Sequence, residues 1–286
     1  MIFIKTNLVL FFFLKIVLGQ VNTEVYLFDL RSLNYNYQIL NPLNISNSKG
    51  YDNQPSFLNT SDKVLFSSNR NGQTDIIIYD IKTQKKKWLT ETVGSEYSPI
   101  QINSSNSFST VRLDVNGDQL LYKYDMNNDT IIPLIPNLKI GYYGWVNDNQ
   151  ILSFVLGDPP SMQSSFLKEG INKIIVENIG RSFYKIPGTN LMSYVKKDSI
   201  WSIISIDLKT GYKEKIIETL EDSEDFTWTP DKILLMGHKS QIFKFDPRRD
   251  NDWILVKDLS SFELNNISRI AVSNNGKRLA IVVDDN

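Results

Sequence analysis

The 286-residue chain carries 31 Lys plus Arg against 32 Asp plus Glu, a net charge of -1, and 41% of its residues are hydrophobic. That composition suits a globular protein with a buried core, and the balanced charge gives no basic face for a nucleic-acid partner. Cysteine is absent and His238 is the single histidine, which excludes disulfides, thiolate metal sites, cysteine nucleophiles, an acylated N-terminal cysteine and any multi-histidine metal site.

In chain order, the first segment reads as a processing signal. Lys5 precedes the apolar run Leu8-Val9-Leu10-Phe11-Phe12-Phe13-Leu14, and Lys15 interrupts it before Ile16-Val17-Leu18-Gly19. A span needs about 20 apolar residues, and this run is shorter. Residues 1–19 are therefore expected to be a signal peptide cut near Gly19, with a retained N-terminal anchor as the alternative. The remaining 24–286 are expected to form one domain.

From Glu24 onward the pattern is one of short strands rich in Ile, Val, Leu, Phe and Tyr, separated by Asn, Asp, Gly and Pro. The ends of successive first strands align on Phe57, Gln101, Trp145, Lys185, Trp228 and Val272, at intervals of 40 to 44 residues. Each leads through a polar turn to an apolar second strand, as in Asn147-Asp148-Asn149-Gln150 before Ile151-Leu152-Ser153-Phe154. Five third strands end in aspartate: Asp29, Asp80, Asp125, Asp207 and Asp246. These read as turn formers. Lys85-Lys86-Lys87 reads as a solvated turn.

Four strands at this period predict a β-propeller. The first copy, 24–45, holds only a third and a fourth strand, and the last, 267–286, only a first and a second. Joining them leaves no exposed sheet edge at either end. The expected fold is all-β, a six-bladed propeller of four-stranded antiparallel blades closed by pairing N-terminal with C-terminal strands.

One blade carries a more specific pattern. Gln54-Pro55-Ser56-Phe57, followed by Val64-Leu65-Phe66-Ser67-Ser68-Asn69-Arg70-Asn71-Gly72-Gln73-Thr74-Asp75-Ile76, resembles the TolB-type β-propeller repeat. The resemblance implies the propeller fold, and it implies a structural role for Arg70 and Asp75 in locking the loop between second and third strands. TolB joins a further N-terminal domain to its propeller. Here strand patterning from Glu24 leaves no space for one within the chain, so TolB's function does not carry over with the fold.

Two loop sets should share one face of such a ring: those leading into each first strand and those joining second to third strands. The first set offers Tyr51, Asp52, Glu96, Tyr97, Tyr142, Tyr143, Arg181, the run from Asp222 to Asp225, and Arg269. The second adds Arg70, Arg112, Lys196-Lys197-Asp198 and His238, and a longer segment, Leu156 to Met162, reads as a rim. Tyrosines give contact area with a polar tip, and arginines give bidentate recognition of carboxylate or phosphate. The alternative is that these residues pair with each other and line a water-filled channel.

No catalytic residue is assigned. There is no Gly-x-Ser-x-Gly elbow to place a serine beside His238, and the pair Glu96 and Asp225 is the nearest to an acid/base arrangement. No cofactor is expected, calcium being the one possible ion because axial Asp and Asn supply oxygen ligands. The expectation is an exported, monomeric, non-enzymatic binding or scaffold module, periplasmic or secreted. It would take an envelope or secreted protein, a peptide or a polar small ligand at its funnel face. The alternative is a funnel-face hydrolase or lyase acting on a glycan or ester, with or without calcium.

Overall fold

The computed structural model describes residues 22–34, 36–103 and 105–284; the expected signal peptide lies outside them. Strands β1 (Thr23–Leu33) and β2 (Asn36–Asn44) open the chain. Blade 2 follows as β3 (Asp52–Phe57), β4 (Lys63–Arg70), β5 (Gln73–Asp80) and β6 (Lys85–Trp88). Blade 3 comprises β7 (Ser95–Gln101), β8 (Ser107–Leu113), β9 (Gln119–Asp125) and β10 (Ile131–Ile135). Blade 4 comprises β11 (Ile140–Asn147), β12 (Gln150–Val155), β13 (Ser161–Phe166) and β14 (Ile171–Glu177). Blade 5 comprises β15 (Ile179–Lys185), β16 (Met192–Lys197), β17 (Trp201–Ile206) and β18 (Lys213–Glu218). Blade 6 comprises β19 (Phe226–Trp228), β20 (Leu234–His238), β21 (Gln241–Phe245) and β22 (Ile254–Asp258), and a 3-10 turn (Ser260–Phe262) leads to β23 (Arg269–Val272) and β24 (Arg278–Asp284).

Each blade is a four-stranded antiparallel sheet, and blade 1 has the order β2-β1-β24-β23. Its closing register runs from Thr23↔Asp284 to Asp29↔Arg278, so the ring shuts as the half-repeats require. No helix among the described residues is long and apolar enough to cross a membrane.

The core is six layers, one between each pair of neighbouring blades. Val25, Val64, Phe66, Ile77 and Val282 fill the space between blades 1 and 2, and Leu65, Ile76, Phe108 and Tyr124 that between 2 and 3. At the seam between blades 6 and 1, Leu235, Ile242, Leu279 and Ile281 do the same. Each fully buried side chain of this kind contributes about 1.5–3 kcal/mol. Polar cross-links add direction: Trp145 and Trp228 donate their indole N–H groups to Ser109 and Ser193 of the preceding blade, both at 2.9 Å.

Four of the five strand-ending aspartates turn the chain as expected. Asp80, Asp125, Asp207 and Asp246 accept backbone N–H bonds from Thr83, Asn127, Lys209 and Arg248 at 2.8–3.1 Å. Asp29 instead pairs with Arg278, because β1 continues to Leu33 and no turn begins there. Lys85-Lys86-Lys87 is not a turn but most of β6: an outer edge strand tolerates three solvated lysines, which also discourage edge-to-edge pairing. The rim segment is shorter than expected, since Ser161 and Met162 already belong to β13.

Candidate functional site

Blades stand on edge around the axis, so most side chains of the inner strands point into the layers between blades. What reaches the channel depends on irregularity. β3, β7, β11 and β15 each carry a register shift, between Asn53 and Ser56, Tyr97 and Ile100, Ile140 and Tyr142, and Ile179 and Phe183. Gln54 and Ser98 sit in these shifts at φ of 56° and 54°. Bulges re-aim side chains, and four of the six first strands carry one, while β19 and β23 have none. Three residues before each first-strand anchor the repeat places Gln54, Ser98, Tyr142, Ser182, Asp225 and Arg269, and all six line a channel enclosing about 320 Å³. At the far end of the channel, Asn274 donates to Asn59 and Asn59 to Asn103, both at 3.3 Å.

The lining is chemically lopsided. Blades 2 and 3 supply an amide and a hydroxyl, while blades 4, 5, 6 and 1 supply a charged cluster. Arg181 Nε lies 2.9 Å from Asp225 Oδ2, and Arg269 Nη1 lies 3.1 Å from the same oxygen. Arg269 Nη2 donates to Tyr142 OH at 3.3 Å, and both guanidinium carbons stand near the Tyr142 ring, at 6.0 Å (Arg181) and 5.6 Å (Arg269) from its centroid. Glu224 joins from the side, 3.4 Å from Arg181 Nη1 and 2.9 Å from Lys197 Nζ. Burial opposes the charge on Arg181, but Asp225 and Glu224 more than offset it and raise its pKa. Tyr51 belongs to the same group: burial pushes its phenol up against the pull of Arg269, and its ring meets Tyr97 edge-on at 6.1 Å.

The expected site residues therefore divide. Tyr51, Tyr97, Tyr142, Arg181, Asp225 and Arg269 are brought together at the mouth. Tyr143 touches the channel lining but is 5% exposed, with its hydroxyl 3.0 Å from Ser98 O and 2.8 Å from Ser109 Oγ, so it ties blade 4 to blade 3.

Asp52 faces the layer between blades 1 and 2. It is fully buried, accepts from Ser48 Oγ at 2.6 Å, and burial raises its pKa to about 6. Glu96 is likewise buried between blades 2 and 3, accepting from Thr92 Oγ1 at 2.6 Å and Tyr124 OH at 3.1 Å, with Arg112 Nε 3.8 Å away. Arg112 turns to Asp114 at 2.7 Å. Beside them Arg70 Nε donates to Asp75 Oδ2 at 2.7 Å, and Asp75 also accepts from Thr90 Oγ1 at 2.9 Å, which fastens the β4–β5 loop to the segment leading into blade 3. His238 lies on blade 6 with Nδ1 3.3 Å from Ser223 Oγ, and does not line the channel.

Glu224 and Lys197 had stood out only as members of charged runs. Gln54 and Ser98 carried no chemical signal; only their place in the 44-residue repeat could have found them. The two carboxylates at the mouth already hold guanidinium and ammonium groups, so calcium would have to displace those cations to use them. Among the described residues no group of three or more His, Asp or Glu is placed to hold a metal ion.

No family model matches the chain, and no curated protein sequence matches it. Solved structures do match in fold. TolB from Acinetobacter baumannii superposes at a TM-score of 0.59 with 12% identity, over 92% of this chain and 64% of that one. A putative TolB from Agrobacterium tumefaciens gives 0.71 with 10% identity, over 94% of this chain and 100% of that one. Oligogalacturonate lyase from Vibrio parahaemolyticus gives 0.58 with 11% identity, over 87% and 83%. The chain thus spans under two thirds of the Acinetobacter protein's length. At these identities the likeness is one of architecture, and one fold serves both a TolB and a lyase. In fold, this chain is a six-bladed TolB-like β-propeller.

Proposed function

We propose that the chain is a non-enzymatic binding module that takes a carboxylate-bearing polar ligand, such as an acidic peptide segment of an envelope or secreted protein, at its funnel mouth. The observation that carries this reading is the sharing of one carboxylate oxygen, Asp225 Oδ2, by two guanidiniums over one tyrosine ring. Among the described residues the acids paired with Arg181, Arg269 and Lys197 are Asp225 and Glu224, so three cations meet two carboxylates. An incoming carboxylate takes the second guanidinium without leaving Asp225 unpaired. Ser98, on the channel wall, has a buried hydroxyl without a protein hydrogen-bond partner among the described residues.

A catalytic reading, a hydrolase or lyase at the same funnel, draws on the fold shared with the oligogalacturonate lyase. The occupied state of Glu224 and Asp225 favours binding over proton transfer. Export of the module to the periplasm or beyond rests on residues 1–19, and cell fractionation with N-terminal sequencing of the mature chain tests it.

The function is tested by cross-linking and pull-down from an envelope fraction, followed by titration of the captured segment into the parent protein and into Arg181→Ala and Arg269→Ala. Weakened binding at unchanged melting temperature supports the reading. Turnover of a glycan or ester panel that both variants abolish, with no captured partner, would refute it.

A further inference from the structure

A second cavity, of about 880 Å³, opens on the face opposite the funnel mouth. It exists because blade 1 departs from the repeat. β1 pairs with β24 only as far as Asp29↔Arg278, with one further bond from Leu30 N to Lys277 O at 2.9 Å. Beyond that point Arg31, Ser32 and Leu33 pair with β2 alone, as a two-stranded ribbon that overshoots the blade.

The ribbon leans one way. Tyr37 is 5% exposed, its hydroxyl lies 3.0 Å from Thr229 Oγ1, and with Ile39 it packs among Ile233 and Leu235 of blade 6. The side toward blade 2 is left open. The floor there is the β23–β24 turn, where Gly276 at φ +69° sits against Pro230; a Cβ would meet the Pro230 ring at 3.3 Å.

Three segments aim a cation into this space: Arg31 from the ribbon, Lys82 from the β5–β6 turn and Lys277 from the β23–β24 turn. Among the described residues none of the three has an ion-pair partner. Of the acids in the lining, Asp29 pairs with Arg278, while Asp231 and Asp62 accept hydroxyl bonds, from Tyr37 at 3.4 Å and from Thr60, which do not cancel a carboxylate's charge. The lining as a whole sets four cations, Arg31, Lys82, Lys277 and Arg278, against the acids Asp29, Asp62 and Asp231, and a ligand bearing several negative charges would meet the three cations that no acid pairs.

We propose that this cavity is a binding site, separate from the funnel, for a small polyanion carrying two or more phosphate or carboxylate groups. Calorimetric titration of the full-length protein at low ionic strength with tripolyphosphate, citrate and acetate tests it. The expected result is one-to-one binding of tripolyphosphate or citrate, with acetate at least ten-fold weaker. Preference between the first two identifies phosphate or carboxylate as the recognised group. Arg31→Gln, Lys82→Gln and Lys277→Gln should each weaken binding about three-fold, and the triple variant about thirty-fold, the scale of partly exposed ion pairs. Lys213→Gln, on the outer strand of blade 5, removes the same charge and should leave binding unchanged. Absence of heat with both polyanions, or full binding by the triple variant, overturns the proposal. Loss of the heat in Arg269→Gln places the polyanion in the funnel and overturns it equally.

Discussion

The carboxyl groups of Asp75 and Glu96, neither exposed to solvent, meet across a single hydroxyl, that of Thr90, at 2.9 and 3.3 Å. Two buried acids this close cannot both be comfortably ionised. Burial, with repulsion from Asp75 adding to it, lifts Glu96 from its ordinary 4.5 to about 7. Thr92, Tyr124 and Arg112 also face this carboxyl and temper the rise.

The folded protein therefore holds this proton more tightly than the unfolded chain. Glu96 contributes its full stability below pH 4.5 and loses it as the pH climbs to about 7. At 1.36 kcal/mol per pH decade the difference is about 3 kcal/mol. Asp52, raised to about 6 by burial, adds a smaller loss of the same sign between pH 4 and 6. The melting temperature should rise when the pH is lowered from 8 to 5. Glu96→Gln keeps the shape of the protonated acid, so it should melt above the parent at pH 8 and level with it at pH 5. Thermal scans across that range decide the matter: a constant gap between the two proteins would show that the carboxyl holds no such proton.

Tyr142 and Tyr143 are adjacent in sequence and opposite in use. Tyr142 lies under Arg181 and Arg269, while Tyr143 is 5% exposed and bonded into blade 3. Tyr143→Ala should cost about 3–5 kcal/mol, the range for a buried aromatic. Tyr142→Ala should leave the melting temperature within a few degrees and weaken whatever the funnel binds. Equal destabilisation by the two, measured by denaturant unfolding, would mean that Tyr142 is also a packing residue.

Why the ring was legible while the funnel was only half so follows from what each depends on. Strand number, period and closure rest on hydrophobic alternation and turn residues, which recur six times. Five of the six anchors, Phe57, Gln101, Lys185, Trp228 and Val272, are the last residues of their strands. The direction of a single side chain rests on pleat parity and on bulges, and neither has a residue signature here. Glu96 and Asp52 stand as close to the start of their strands as Asp225 does, yet alternation sends them into the layers between blades. The cavity beside the blade 1 ribbon was illegible for another reason: it arises from three extra ribbon residues on each strand, a length difference with no chemical mark.

The seam of blade 1 makes the last test, since it is where the chain meets itself. Seven register pairs join β1 to β24, and Val25, Ala280 and Val282 lie in the layer against blade 2 while Phe28, Leu279 and Ile281 lie in the layer against blade 6. Deleting residues 268–286 removes β23 and β24, so β1 loses its inner partner and both adjoining layers lose their central strand. An unpaired inner strand flanked by exposed Val25, Leu27 and Phe28 is a template for association with other chains. The truncated protein should elute as aggregate in size-exclusion chromatography. Adding the 268–286 peptide in trans during refolding should recover some monomer, because the missing strands bring their own register. A truncation that stays monomeric with native-like cooperative melting would show that the five complete blades hold the ring without the seam.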